Sequence, residues 1–236
     1  MLFFVLWYFN IAVRPFEGCI GSSQTLHYTL NYLLAGLIPT WALFLLHARR
    51  DIASSMGLSH GFGTGLLFAV TATLPMIAGF DRELTADAAF TWIFIAGIFE
   101  ELVYRGFVFG QLFRYARWGF LPAALLTALA FGSLHLYQGH DPVSALTAFG
   151  ITALGSIFFS WLYVEWNYNL WGVIWLHTLM NLPWIVFRVS TSGAVGDTGA
   201  NALRLCTIIL AIGLTVAYKR KRGLPYRIQI NTLITN

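Results

Sequence analysis

The chain has 236 residues, of which 58% are hydrophobic and only 10% charged, too apolar and too poor in charge for a soluble globular domain of ordinary usage. Its formal net charge of +4 gives no reason to expect a nucleic-acid partner. Two cysteines, Cys19 in a connection and Cys206 within an apolar run, support neither a disulfide framework nor a CxxC metal or redox site.

A bilayer core about 30 Å thick takes roughly 20 apolar residues in helical form, so the apolar runs can be counted as spans. The first run, over 1–13, has neither the basic leader nor the small-residue cleavage site of a secretory signal. It is expected to remain as a short or partly interfacial helix. Spans are then expected over 26–47, 61–80, 86–113, 118–136, 142–163, 168–187 and 200–218, eight in all, or seven if the first run does not cross. The fold class this predicts is all-α, a polytopic transmembrane helical bundle. Without an internal repeat, a low-complexity linker or a composition break, residues 1–236 read as one domain.

Basic residues cluster in the connections at Arg49 and Arg50, at Arg114 and Arg117, and at Lys219, Arg220, Lys221, Arg222 and Arg227, while the other side receives only Arg14, Arg82 and Arg188. The positive-inside rule then places both termini in the cytoplasm, with 219–236 as a cytoplasmic basic tail. The nine tryptophans and ten tyrosines read mainly as an aromatic belt and packing.

An ionisable side chain in hydrocarbon costs roughly 2.5–3.5 kcal/mol on insertion scales, so those that persist face the bundle interior and mark function. Here they are Glu100, Glu101 and Arg105 in FEELVYRG, His135 in FGSLH, His177 and Asn181 in HTLMN, and Arg204 early in the last span. Arg204 is within reach of the interface and reads as a snorkelling, non-catalytic residue. His27, His47, His60 and His140 fall at span ends or in connections and read as interfacial.

Helical geometry sorts the remainder. Residues four apart share a face, whereas neighbours diverge by about 100°. Glu101 and Arg105 are therefore expected to form a buried ion pair in a supporting role. Glu100 points to another side, as a carboxylate suited to take a proton from water and return it. The same spacing places Phe131 beside His135 and His177 beside Asn181. An imidazole near Glu100 would hold and polarise a water, and a His–Asn pair offers donors to a developing oxyanion. Taken singly, either histidine is as readily a structural residue bonded to a neighbouring carbonyl. The span boundaries set Glu100 near mid-bilayer, His177 nearer the inside and His135 nearer the outside, a disagreement in depth of about 10 Å.

At these residues the sequence resembles the CPBP superfamily, also called the Abi or type II CAAX-protease family of intramembrane glutamate proteases. Its pattern of EExxxR, FxxxH and HxxxN occurs here in order and on separate predicted spans, as Glu100-Glu101 with Arg105, Phe131 with His135, and His177 with Asn181. The motif-bearing core lies at about 86–187. The resemblance implies that Glu100 and His135 activate the attacking water, that His177 and Asn181 stabilise the oxyanion, and that no cofactor or metal takes part. It also implies a membrane-anchored protein or peptide substrate, cut near its C-terminus or anchor, and a multi-pass protein of a prokaryotic cell membrane in contact with the lipid bilayer. Two alternatives stay open. One is a zinc peptidase using Glu100, His135 and His177 as ligands, although the HExxH signature is missing. The other is a non-catalytic membrane protein of the bacteriocin-immunity type, or a transporter, that uses the same polar cavity.

Overall fold

The computed structural model describes residues 51–78, 96–186 and 195–235. Every regular element among them is helical, apart from one isolated antiparallel bridge between Trp118 and Thr235. The expected spans at 1–13 and 26–47, and the first part of 86–113, lie outside the described residues.

Helix α1 (Ile52–Met56) is capped by the Asp51 carboxylate and stopped by Gly57. Gly57 holds φ +86°, and a Cβ there would lie 1.8 Å from the Tyr168 carbonyl oxygen, so only glycine fits. α2 (Phe62–Thr73) runs on into a 3₁₀ turn over Leu74–Ala78. α3 (Ala96–Glu101) continues as π-helix over Leu102–Phe109 and again over Gln111–Tyr115. α4 (Phe120–Ser133) leads through a 3₁₀ turn at Leu136–Gln138 to α5 (Pro142–Glu165). Asp141 and Ser144 cap α5 reciprocally, and proline occupies its first turn. α6 (Leu170–Val186) and α7 (Thr198–Arg222) complete the bundle.

Among the described residues, three helical stretches are long and apolar enough to cross a membrane: Phe120–Gln138, Pro142–Glu165 and Thr198–Arg222. These are the spans expected at 118–136, 142–163 and 200–218. The spans expected at 61–80 and 168–187 are helical but shorter as apolar stretches, at Phe62–Met76 and Leu170–Leu182. Large apolar side chains such as Leu125, Leu129, Leu146, Leu154 and Ile209 point outward, as a lipid solvent permits.

Lipid tails are as apolar as leucine, so such helices associate through close packing of small residues rather than by escaping water. The buried faces carry Ala69 and Ala72 on α2, Ala123, Ala124 and Ala128 on α4, and Ser156 and Ser160 on α5. α2 and α6 meet where a Cβ on Gly65 would stand 2.7 Å from the Gly172 nitrogen. A second locus ties α1 to the α5–α6 corner. There Tyr163 donates to the Met56 carbonyl at 2.9 Å and Trp171 to that of Leu58 at 2.8 Å. Arg114 donates to the Ser55 carbonyl at 2.9 Å and lies over the Tyr168 ring.

The expected tail at 219–236 is built differently. Lys219–Arg222 form the last turn of α7, ended by Gly223 at φ +62°. Lys219 is buried, paired with the equally buried Glu165 at the end of α5. The Glu165 carboxylate also accepts the backbone N–H groups of Arg227 and Ile228, at 3.2 and 3.0 Å. Gly119 and Leu121 then donate to the carbonyls of Ile234 and Leu233. Residues 223–235 thus fold back as a strap from the end of α7 to the start of α4. A buried carboxylate needs partners for every lone pair it turns away from water, and the strap supplies them.

Candidate active site

The two glutamates sit at a change of helical type. α-helical geometry ends at Glu101; beyond it the backbone closes wider i→i+5 turns, as where the Gly110 N–H donates to the Arg105 carbonyl. Wide turns of this kind occur frequently at functional sites. Opposite, α6 comes close enough for contact because residue 97 is glycine. A Cβ there would lie 2.5 Å from Thr178 Oγ1, the neighbour of His177.

Glu101 is fully buried. Its Oε1 accepts from Arg105 Nη1 at 2.8 Å, within its own helix, and from His177 Nδ1 at 2.7 Å across to α6. The ion pair expected from four-residue spacing is present; the bond to His177 is an addition that spacing within one helix cannot show. Arg105 is among the largest fully buried side chains among the described residues. Its guanidinium lies over the rings of Phe131 at 4.9 Å and Phe159 at 5.2 Å. One buried charge network therefore joins α3 and its π extension to α4, α5 and α6.

The other imidazole nitrogen faces the second carboxylate. His177 Nε2 stands 3.8 Å from Glu100 Oε2, and the two side chains are 16% and 17% exposed. That is longer than a hydrogen bond, in contrast to the sealed bonds behind it. Because a carboxylate oxygen can only accept, the Glu101 contact fixes the proton on Nδ1 and aims Nε2 at Glu100. The contact also removes the depth disagreement between Glu100 and His177, since span ends read from hydropathy carry errors of a few residues.

His135 lies just past the end of α4 rather than inside it, with φ −104° and ψ 0°. Its Nδ1–H donates to the Phe131 carbonyl at 2.8 Å, and its ring lies 4.6 Å from that of Phe131. Nε2 is therefore left as the acceptor. Asn181 is partly buried on α6, one turn beyond His177. Glu100, Glu101, Arg105 and His177 thus meet directly, His135 is joined to them through Phe131, and Asn181 follows His177 on its helix. Arg204 is partly buried on α7, bonded to Asn201 at 2.8 Å. Three donors for a zinc ion would have to come together from Glu100, His135 and His177; among the described residues no three His, Cys, Asp or Glu side chains are grouped to hold a metal.

Residues 82–183 match the family described as type II CAAX prenyl endopeptidase Rce1-like. That is the family the three motifs resemble. The match takes in all three motifs, and the family is one of peptide hydrolases. Residues 82–183 are thus similar to a family of endopeptidases, and the described helices include ones long and apolar enough to cross a membrane. No curated protein matches the chain.

Two residues near the site were not singled out by the sequence. Phe159 packs 5.2 Å below the Arg105 guanidinium and 5.5 Å from the His177 ring; an aromatic in an apolar span carries no signal of such a role. Tyr104 is buried against Phe131 with ring centroids 4.9 Å apart. Its signal was available, because it follows Glu100 by four residues, the spacing that identified Glu101 and Arg105.

Proposed function

We propose that this protein is an intramembrane endopeptidase that hydrolyses a peptide bond of a membrane-anchored protein or peptide, near the C-terminus or anchor, with Glu100 as general base. One observation carries the reading: the partly exposed Glu100 and His177 face each other at 3.8 Å in front of a fully buried Glu101–Arg105 pair that holds the His177 ring.

Glu100 takes a proton from a water molecule as its oxygen attacks the carbonyl carbon of the scissile bond. His135 Nε2, left as acceptor by the bond from Nδ1–H to Phe131, receives the water's other hydrogen and orients it. His177, as an imidazolium with Nδ1–H on Glu101 and a second N–H at Nε2, and the Asn181 amide one turn further along α6 donate to the carbonyl oxygen as it gains negative charge. The intermediate collapses as Glu100 returns its proton to the leaving nitrogen, giving a carboxylic acid and an amine, and the acid's proton then passes to the amine to leave a carboxylate and an ammonium. Glu101 and Arg105 position His177 and touch no reacting atom. The chain sits as a multi-pass protein of about eight spans in a prokaryotic cell membrane, with both termini cytoplasmic.

The test is cleavage of a membrane-anchored peptide by purified protein in detergent or nanodiscs, with the cut mapped by mass spectrometry. Glu100→Gln should lower the rate by about 10²–10⁴-fold, the usual contribution of general-base catalysis, with folding and substrate binding unchanged. Wild-type rates in Glu100→Gln alongside a dead Glu101→Gln would transfer the base to Glu101 and overturn the assignment. A wild-type protein that binds the peptide tightly and never cuts it would favour the immunity-type reading.

A further inference from the structure

The Tyr104 hydroxyl is buried and has no hydrogen-bond partner among the described residues, on a residue only 3% exposed. A phenol in that state has given up its hydrogen bonds to water without replacement, and buried tyrosines usually find a partner for the O–H. Phenylalanine would occupy the same space without that cost. The ring is held edge-on against Phe131, the residue whose carbonyl orients His135. Tyr104 also follows Glu100 by four residues, the spacing that brings two side chains onto one helical face, which links it to both groups that, on the reading above, handle the attacking water.

We propose that Tyr104 is a water-positioning residue whose O–H donates to the oxygen of the water that Glu100 deprotonates. The inference rests on the proposed hydrolytic reading, and the water's valences support it. A water molecule has two hydrogens and two lone pairs. One hydrogen goes to Glu100 and the other to His135 Nε2, which can only accept. A lone pair must remain for the carbonyl carbon. The second lone pair takes one donor, and Glu100 as a carboxylate and His135 at Nε2 cannot supply it. Tyr104 can. With three anchors the water has a single orientation, and its attacking lone pair is aimed before substrate arrives. The proton balance does not change: Glu100 takes the proton and returns it to the leaving nitrogen, while Tyr104 keeps its own.

The experiment measures kcat, KM and thermal stability of Tyr104→Phe beside Glu100→Gln on the same membrane-anchored peptide. Tyr104→Phe should lose about 10- to 100-fold in kcat, what one hydrogen bond to a group gaining charge sustains, with KM unchanged. Its melting temperature should be equal or higher, because an unsatisfied hydroxyl has been removed. Wild-type kcat in Tyr104→Phe while Glu100→Gln is inactive would overturn this inference alone. A kcat loss accompanied by a lower melting temperature would make Tyr104 structural and overturn it equally. Full activity in Glu100→Gln would overturn the hydrolytic reading on which it rests.

Discussion

Replacing Arg105 by alanine is the sharpest test of the network behind His177. The guanidinium is 1% exposed and bonded at 2.8 Å to a carboxylate with no exposure at all. Removing one partner of a buried pair typically costs about 3–5 kcal/mol, because the other charge is left without compensation. Two features move the value in opposite directions. His177 stays 2.7 Å from Glu101 and compensates part of the charge. Loss of the guanidinium from the faces of Phe131 and Phe159 removes cation–π attraction worth about 0.5–2 kcal/mol each. These effects roughly offset, so Arg105→Ala should lose on the order of 3–5 kcal/mol, read as a lower melting temperature and faster proteolysis in detergent. The double variant Glu101→Leu/Arg105→Met separates stability from chemistry. Replacing a buried ion pair by apolar side chains of similar volume is often neutral or stabilising, so stability should return. Activity should not, because His177 has lost the carboxylate that holds its Nδ1–H and sets its aim. A stable Arg105→Ala, or an active double variant, would refute the argument that the pair acts by holding His177.

Two further outcomes follow from features outside the site. Glu165→Ala should leave Lys219 buried without its carboxylate and release the strap, so proteolysis after Arg222 should quicken and stability fall by about 3 kcal/mol or more; a strap equally protected in the variant would mean that its contacts with α4 suffice. Asp141 caps α5, and the Ser144 hydroxyl, followed by the N–H groups of Ser144 and Val143, holds its carboxyl below the ordinary carboxylate range. A lowered folded-state value means that the cap contributes above the unfolded-state value and is lost as pH falls through the folded one. The melting temperature of wild type should therefore fall more than that of Asp141→Asn between neutral and strongly acidic pH, and parallel pH curves would show that the cap carries no ionic component.

How much of this was legible in the sequence depends on the range over which each residue finds its partner. Glu100, Glu101, Arg105, His135, His177 and Asn181 stood out because hydrocarbon penalises such side chains one at a time, and the Glu101–Arg105 pair followed from helix geometry within six residues. The link from Glu101 to His177 spans 76 positions and depends on how closely two helices approach, which Gly97 permits and no periodicity announces. The π-helical turns after Glu101 were equally hidden, since nothing in LVYRGFVF separates an i→i+4 from an i→i+5 ladder.

The charges at span ends show the same limit from the other side. Lys219 looked like one more solvated residue of a basic tail, because the positive-inside rule counts charges and does not pair them. Glu165 drew no attention at the edge of its span. In the fold they neutralise each other at the junction of α5, α7 and the strap, so the number of free positive charges at that end is smaller than the sequence count. An orientation argument built on counting should therefore leave Lys219 out and rest on Arg220, Lys221 and Arg222, which are exposed. The site and the strap thus use one device: a buried carboxylate, Glu101 or Glu165, gathers donors from distant segments and fixes their geometry, with the difference that the first has a partly exposed carboxylate, Glu100, beside it, the group proposed above as general base.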